Sequence, residues 1–88
     1  MYYCYILRCS DNSLYCGMTN NLEKRVREHN SSTSKGAKYL RAKKPVQLVY
    51  SEQYPDIQAA MKREREVKKL TKAQKEALIT SDSHSVES

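Results

Sequence analysis

The sequence lacks the marks of a membrane-bound or secreted protein. Its longest uninterrupted apolar run is far too short to cross a bilayer, and its N-terminus has neither the basic flank nor the apolar stretch of a signal peptide. The three cysteines are an odd set without a Cys-x-x-Cys pair, which disfavours a disulfide framework and a zinc knuckle. We therefore expect a soluble cytoplasmic protein in which Cys4, Cys9 and Cys16 are reduced core thiols, with a metal or reactive thiol as the alternative.

Tryptophan and phenylalanine are also absent, so seven tyrosines supply all the aromatic rings. Such a chain places many hydroxyl groups near its core, and buried hydroxyl groups need hydrogen-bond partners. The composition therefore favours a polar cleft at the edge of a sheet, although packing is the default explanation for any single tyrosine.

What the chain does contain fits one small domain. A length of 88 residues leaves no room for a second domain, and a hydrophobic share of 39% predicts a small core. Residues 80–88 are polar and rich in serine, so we expect a domain over residues 1–79 followed by a disordered polar tail. We expect this domain to be a monomer.

Positive charge is segregated along the chain. The formal net charge is +6, and residues 24–44 and 62–75 hold every lysine and arginine except Arg8. If the fold joins these two blocks, they form one phosphate-binding face, which indicates a nucleic-acid partner. The alternative is that they only decorate solvated helix faces. The residues predicted to contact nucleic acid are Lys24, Arg27, Lys35, Lys38, Arg41, Lys43, Lys44, Arg63 and Lys68.

The pattern of apolar residues predicts a single α+β domain. Residues 2–9 and 14–19 flank a run of turn formers and therefore predict a β-hairpin, whose first strand carries apolar side chains on both faces. The expected fold is a small antiparallel three-stranded sheet flanked by helices, in the order β-β-α-(α)-β-α-α. After the hairpin, the predicted elements are a helix from Asn20 or Asn21 to Asn30, a helical turn within 37–42, a strand over 46–50, a helix over 56–69 and a helix over 71–79.

Two features of the predicted helices are out of place. The apolar stripe of Ile57, Ala60, Met61 and Val67 includes Glu64, and a carboxylate on a buried face needs a partner. The alternatives are a salt bridge, a side chain that curls to the rim, or a metal ligand. Arg25 and His29 lie one helical turn apart, so they can reach one phosphate together, while the plain alternative for the histidine is a packed core residue.

Four short motifs in order resemble the GIY-YIG nuclease superfamily. They are Tyr3-Cys4-Tyr5, Leu14-Tyr15-Cys16-Gly17-Met18-Thr19, Leu22-x-x-Arg25-Val26-x-x-His29 and Ala60-x-x-x-Glu64. The stretches YILRCSDNSLYCG and EREVKKLTKAQKEALI are similar to the small stand-alone bacterial proteins of this superfamily. The resemblance covers about residues 2–79 and implies a GIY-YIG-like fold.

The resemblance also implies roles for individual residues. Tyr5, Tyr15, Arg25 and His29 match the catalytic positions, Gly17 matches the structural glycine of the second triplet, and Glu64 matches the ligand of a single Mg²⁺ or Mn²⁺ ion. The downstream asparagine of many active members has no counterpart here. Larger relatives carry separate DNA-binding domains, so we expect sequence specificity to be weak or to come from a protein partner.

The leading functional hypothesis is metal-dependent hydrolysis of DNA, one strand at a time. Tyr5 or Tyr15 would position or deprotonate the water, Glu64 would hold the cation, and Arg25 would stabilise the charge that develops on phosphorus. His29 would bond a tyrosine hydroxyl or relay a proton. The alternatives are a nucleic-acid-binding module without catalysis and an interaction domain with no nucleic-acid role.

Overall fold

A computed structural model describes residues 1–30 and 43–87 of the chain, and residues 82–87 by their backbone alone. The predicted helical turn within 37–42 lies outside these residues. The described elements are β1 (Tyr2–Arg8), β2 (Leu14–Thr19), α1 (Leu22–Asn30), β3 (Gln47–Tyr54), α2 (Ile57–Lys68) and α3 (Lys72–Glu87).

The three strands form one antiparallel sheet in the order β2-β1-β3, as predicted. The hairpin pairs Tyr5 with Gly17 and Leu7 with Tyr15, and β3 pairs with the other side of β1. The first strand of the chain is therefore the central one, and β2 is an edge strand. A central strand covered by helices on both faces needs apolar side chains at every position, which explains the composition of β1.

The two faces of β1 belong to two separate clusters of the core. Cys4 and Ile6 pack with residues of α2 and α3, including Val67 and Ile79. On the opposite face, Tyr5, Leu7 and Cys9 pack with Val46 and with residues of β2 and α1. The predicted alternation along β1 is confirmed, and all three cysteines are buried free thiols.

Each helix begins after a residue whose side chain accepts a hydrogen bond from an amide group of the first turn. The carboxamide oxygen of Asn21 accepts from the Lys24 amide, and the Asp56 carboxylate accepts from the Ala59 amide. Thr71 and Gln74 form the reciprocal bonds of a capping box at the start of α3. The predicted bounds of α1 and α2 are confirmed to within a residue or two.

The last helix extends beyond its predicted end. The sequence predicted a stop near Ile79, whereas the backbone of α3 stays helical to Glu87 because no glycine or proline interrupts it. The prediction of that helix end was wrong. The division of the chain into a domain over residues 1–79 and a separate tail stays a prediction.

The third strand is also longer than predicted, because its polar half has partners on α2. The prediction ended at Tyr50, but β3 continues through Glu52 to Tyr54. The Glu52 carboxylate accepts from Nε and Nη2 of Arg63 at 2.9 and 3.2 Å and from the hydroxyl groups of both tyrosines. A buried carboxylate is stable in a strand when it is paired in this way.

The apolar stripe of α2 was predicted only in part. Ala60 and Val67 are fully buried, but Ile57 and Met61 are exposed. The buried side of α2 is therefore narrower than the apolar stripe of the sequence. No helix in the described ranges is long and apolar enough to cross a membrane.

Candidate functional site

The candidate site begins where the hairpin brings Tyr5 against Gly17. These residues are directly opposite each other on β1 and β2, and the Tyr5 ring leans over the glycine. A Cβ atom added at Gly17 would lie 2.5 Å from the Tyr5 hydroxyl oxygen and 2.7 Å from the ring carbon that carries it. Gly17 has no positive φ angle, so the space for Tyr5 and not the backbone requires glycine here.

His29 connects the two candidate tyrosines. It lies on α1 and is only 1% exposed, and its Nε2 atom is 3.1 Å from the Tyr5 hydroxyl oxygen. Its ring also meets the Tyr15 ring edge to face, with 5.5 Å between the centroids. Leu22 and Val26, which precede His29 on the same face of α1, pack on the same cluster of the core.

Arg25 completes this group from one helical turn earlier. Its guanidinium group lies close enough to the Tyr5 hydroxyl group to lower the pKa of that hydroxyl, and Nη1 is 3.1 Å from Oε1 of Glu28. The side chain is 32% exposed, so one side of the guanidinium group still faces solvent. Glu28 was not among the predicted site residues, although its spacing of three residues from Arg25 is a signal for such a pair.

Burial keeps His29 and Tyr5 in their neutral forms. Desolvation lowers the pKa of His29, the charge of Arg25 lowers it further, and Glu28 opposes them. Desolvation raises the pKa of Tyr5 to about 12, while the hydrogen bond from Arg25 acts in the opposite direction. A neutral imidazole beside a neutral phenol can accept its proton in a hydrogen bond.

The lowered pKa of His29 predicts a pH dependence of stability. The unfolded chain takes up a proton near the ordinary histidine pKa of 6.5, whereas the folded protein resists it. The free energy of unfolding should therefore fall as the pH drops below that value, by at most about 1.4 kcal/mol per pH unit for one proton. Urea unfolding between neutral pH and mildly acidic pH measures this slope.

A histidine replacement provides the control for this slope. His29→Asn should lower stability at all pH values but flatten the dependence on pH. Against the effect of burial, Arg63 lowers the pKa of the Glu52 carboxyl group, and Arg8 lowers the pKa of the Glu76 carboxyl group. Both groups therefore titrate at lower pH than this range, in which His29 determines the slope. An unchanged slope in His29→Asn would contradict the neutral, buried imidazole.

Glu64 lies on the other side of the edge strand from this cluster. The Cys16 thiol, which points to the opposite face of β2 from Tyr15 and Gly17, is 4.0 Å from the Glu64 carbonyl oxygen. The Glu64 carboxylate is 22% exposed and 3.5 Å from Nζ of Lys68. It is thus at a solvated rim and not in an apolar core. Its approach to Tyr5, Tyr15, Arg25 and His29 around β2 stays a prediction.

The predicted nucleic-acid contacts have different environments. Arg27 is 71% exposed, and Lys24 and Lys68 are exposed as well. Arg63 is held by Glu52, and Lys43 is held at 3.1 Å by Asp11 in the β1–β2 turn. Lys44 is half-buried. Lys35, Lys38 and Arg41 lie outside the described residues, and all nine contacts stay predictions.

The hairpin carries Tyr5 and Tyr15, α1 carries Arg25 and packs on the hairpin, and the later helix α2 carries Glu64. This arrangement is that of a catalytic domain of the nuclease type. The chain matches the family model of the GIY-YIG catalytic domain over residues 1–77, and it belongs to this family. The resemblance drawn from the four motifs is therefore confirmed.

Within this family the chain belongs to the UPF0213 proteins of bacteria and archaea. It is 53% identical to UPF0213 protein CPE1444 of Clostridium perfringens, covering 94% of this chain and 87% of that one. It is 46% identical to UPF0213 protein NP_0776A of Natronomonas pharaonis, covering 92% and 93%.

Two solution NMR structures share the fold. The UPF0213 protein BH0048 from Bacillus halodurans is 41% identical, with a TM-score of 0.57 over 91% of this chain and 84% of that one. Protein EF2693 from E. faecalis is 43% identical, with a TM-score of 0.61 over 91% and 83%. The predicted fold class, a three-stranded antiparallel sheet with flanking helices, is confirmed.

Proposed function

We propose that this protein is a metal-dependent endonuclease of the cytoplasm that hydrolyses one DNA strand at a time. The observation that carries the proposal is the cluster of Tyr5, His29 and Tyr15, with half-exposed Arg25 one helical turn before His29. An arginine with one side in protein and one in solvent is suited to bind a phosphate and to stabilise the charge that develops on it.

The burial of the two tyrosines supports different roles for them. Tyr5 is only 1% exposed, whereas Tyr15 is half-buried, so Tyr15 is the tyrosine that we place against the attacking water. Tyr5 acts as a positioning residue that holds Arg25 and His29. Neutral His29 accepts a hydrogen bond from the Tyr5 hydroxyl group and thereby holds Tyr5 in place.

The donor chemistry of Glu64 fits one hard divalent cation. A carboxylate at a solvated rim, with one half-exposed lysine as its partner, leaves oxygen atoms for a metal ion. Within the described ranges no three acidic, histidine or cysteine side chains group together, so the fit is to Mg²⁺ or Mn²⁺ that keeps most of its water ligands. When bound, such an ion neutralises phosphate charge as a Lewis acid.

Nicking of supercoiled plasmid DNA tests this proposal. In a series of Mg²⁺ or Mn²⁺ concentrations, Glu64→Gln should shift half-maximal nicking to concentrations about tenfold or more higher, because a neutral amide is a weaker ligand. Glu66→Gln is the matched control, since this neighbouring carboxylate is 52% exposed and bonded to Arg63. Metal-independent nicking, or equal shifts in both variants, would rule out Glu64 as the metal ligand.

A nucleic-acid-binding module without catalysis is the second candidate. It is favoured by the position of Glu64, whose carbonyl oxygen is 4.0 Å from the Cys16 thiol on the face of β2 opposite to Tyr15. Binding of DNA with a steep salt dependence, together with no nicking at any metal concentration, would select this candidate.

A further inference from the structure

A cavity outside the Arg25 cluster lies between the β1–β2 turn and the start of α3. It has a volume of about 290 Å³ and is lined by Asp11, Ser13, Leu14, Lys72 and Lys75. Leu14 directly precedes Tyr15 in β2 and points to the other face of the sheet. The cavity is therefore next to the proposed reaction site but on the α3 side of the edge strand.

The charge of this cavity is positive because its one carboxylate is neutralised. Asp11 accepts from the backbone and hydroxyl groups of Ser13 and lies 3.1 Å from Nζ of Lys43. The hydrogen bonds from Ser13 and the charge of Lys43 lower the pKa of Asp11 to about 2. The charges of Lys43 and Asp11 cancel, so Lys72 and Lys75 of α3 determine the net charge of the cavity.

Those two lysines are available to a ligand. Neither Lys72 nor Lys75 has an ion pair within the described ranges, and the nearby carboxylate of Glu76 is held by Arg8 at 2.6 Å. The capping box of Thr71 and Gln74 already uses amide groups of the helix start, so the attraction for an anion comes from the side chains.

We propose that this cavity binds a nucleotide of the DNA strand that flanks the cleaved phosphate, with its phosphodiester group between Lys72 and Lys75 and its sugar or base against Leu14. A volume near 300 Å³ is at the lower end of ligand sites, which suits one nucleotide. The inference rests on the proposed function, because the bound strand is the substrate whose next phosphates reach Arg25.

Lysines mark both ends of the proposed path along the edge strand. Lys72 and Lys75 line the cavity, and Nζ of Lys68 is 3.5 Å from the Glu64 carboxylate, where the proposed metal ion would bind.

Binding of a fluorescein-labelled oligothymidylate, measured by anisotropy in EDTA over a series of salt concentrations, tests the proposal without any cleavage. Lys72→Gln/Lys75→Gln should lower the slope of log affinity against log salt by about 0.7, for one phosphate that is no longer neutralised on a single strand. Lys62→Gln/Lys69→Gln removes the same charge from exposed positions that do not line the cavity, and should change the slope much less.

Amide chemical shifts locate the same contact in the labelled protein. The oligothymidylate should shift the amide signals of Ser13, Leu14 and Lys75 in the wild type and much less in Lys72→Gln/Lys75→Gln. Equal loss of affinity in both double variants, or shifts that omit the cavity, would overturn the proposed nucleotide site.

The same proteins separate this inference from the proposed function. If the wild type nicks DNA but both double variants bind the oligothymidylate equally well, the proposed nuclease activity is supported and the proposed cavity site is contradicted. If the wild type never nicks DNA but its oligonucleotide binding depends on Lys72 and Lys75, the proposed nuclease activity is contradicted and the proposed cavity site is supported.

Discussion

We expect Arg25→Ala to lower the rate of plasmid nicking by about 10³-fold at saturating DNA, which corresponds to about 4 kcal/mol of transition-state stabilisation. The reason is that the half-exposed guanidinium group, which lies beside Tyr5, is held in place by Glu28 before the substrate arrives. A charge held in this way does not need to reorganise when negative charge develops on the phosphate.

Arg27→Ala is the matched control for this loss. Arg27 lies on the same helix, is 71% exposed and has only a long contact of 3.7 Å with Glu23, so its loss should weaken binding and leave the rate at saturation nearly unchanged. Arg25→Lys keeps the charge but not the planar fork, and should recover only part of the rate. Similar rates for Arg25→Ala and Arg27→Ala at saturation would remove Arg25 from the reaction.

The second large effect is on stability, at Gly17. Gly17→Ala should lower the free energy of unfolding by about 2–3 kcal/mol, because the new methyl group meets the Tyr5 ring and overpacks the core. For a domain of this size the loss corresponds to a decrease in Tm of about 10–20 °C. Thermal unfolding followed by circular dichroism measures it.

The sign of this effect is informative, because a glycine without a positive φ angle is ordinarily replaced by alanine at little cost or with a small gain. In a Tyr5→Leu background the ring carbon that the methyl group meets is gone, so the further cost of Gly17→Ala should fall close to zero. Equal costs of Gly17→Ala in both backgrounds would mean that Tyr5 does not lie over the glycine.

Local patterns were sufficient to predict most of the fold. A strand with apolar residues on both faces must be central, and β1 is; side-chain caps such as Asn21 and Asp56 mark helix starts without tertiary information. The i, i+4 spacing of Arg25 and His29 places both on the side of α1 that faces Tyr5, while their joint contact with a phosphate stays a prediction.

The remaining features depend on partners that are distant in sequence. The polar residues in the second half of β3 are typical of a loop. Only the pairing of Glu52 with Arg63 on α2 explains why they form a strand. The exposure of Ile57 and Met61 depends on how α2 is oriented against the sheet, which periodicity alone does not determine. The tight fit of Gly17 under Tyr5 requires the register of the hairpin, and no single-strand pattern contains it.

The position of the first strand at the centre of the sheet also has a consequence for synthesis on the ribosome. Arg8 pairs with Gln47, so β1 emerges about 40 residues before its second neighbour exists, which at ordinary elongation rates is about 2–8 seconds. During that time the most apolar strand of the chain has one open edge, and the nascent hairpin can pair with other chains. The interval before β3 emerges is therefore the period in which a chaperone, or crowding by neighbouring chains, would most affect the folding of this small protein.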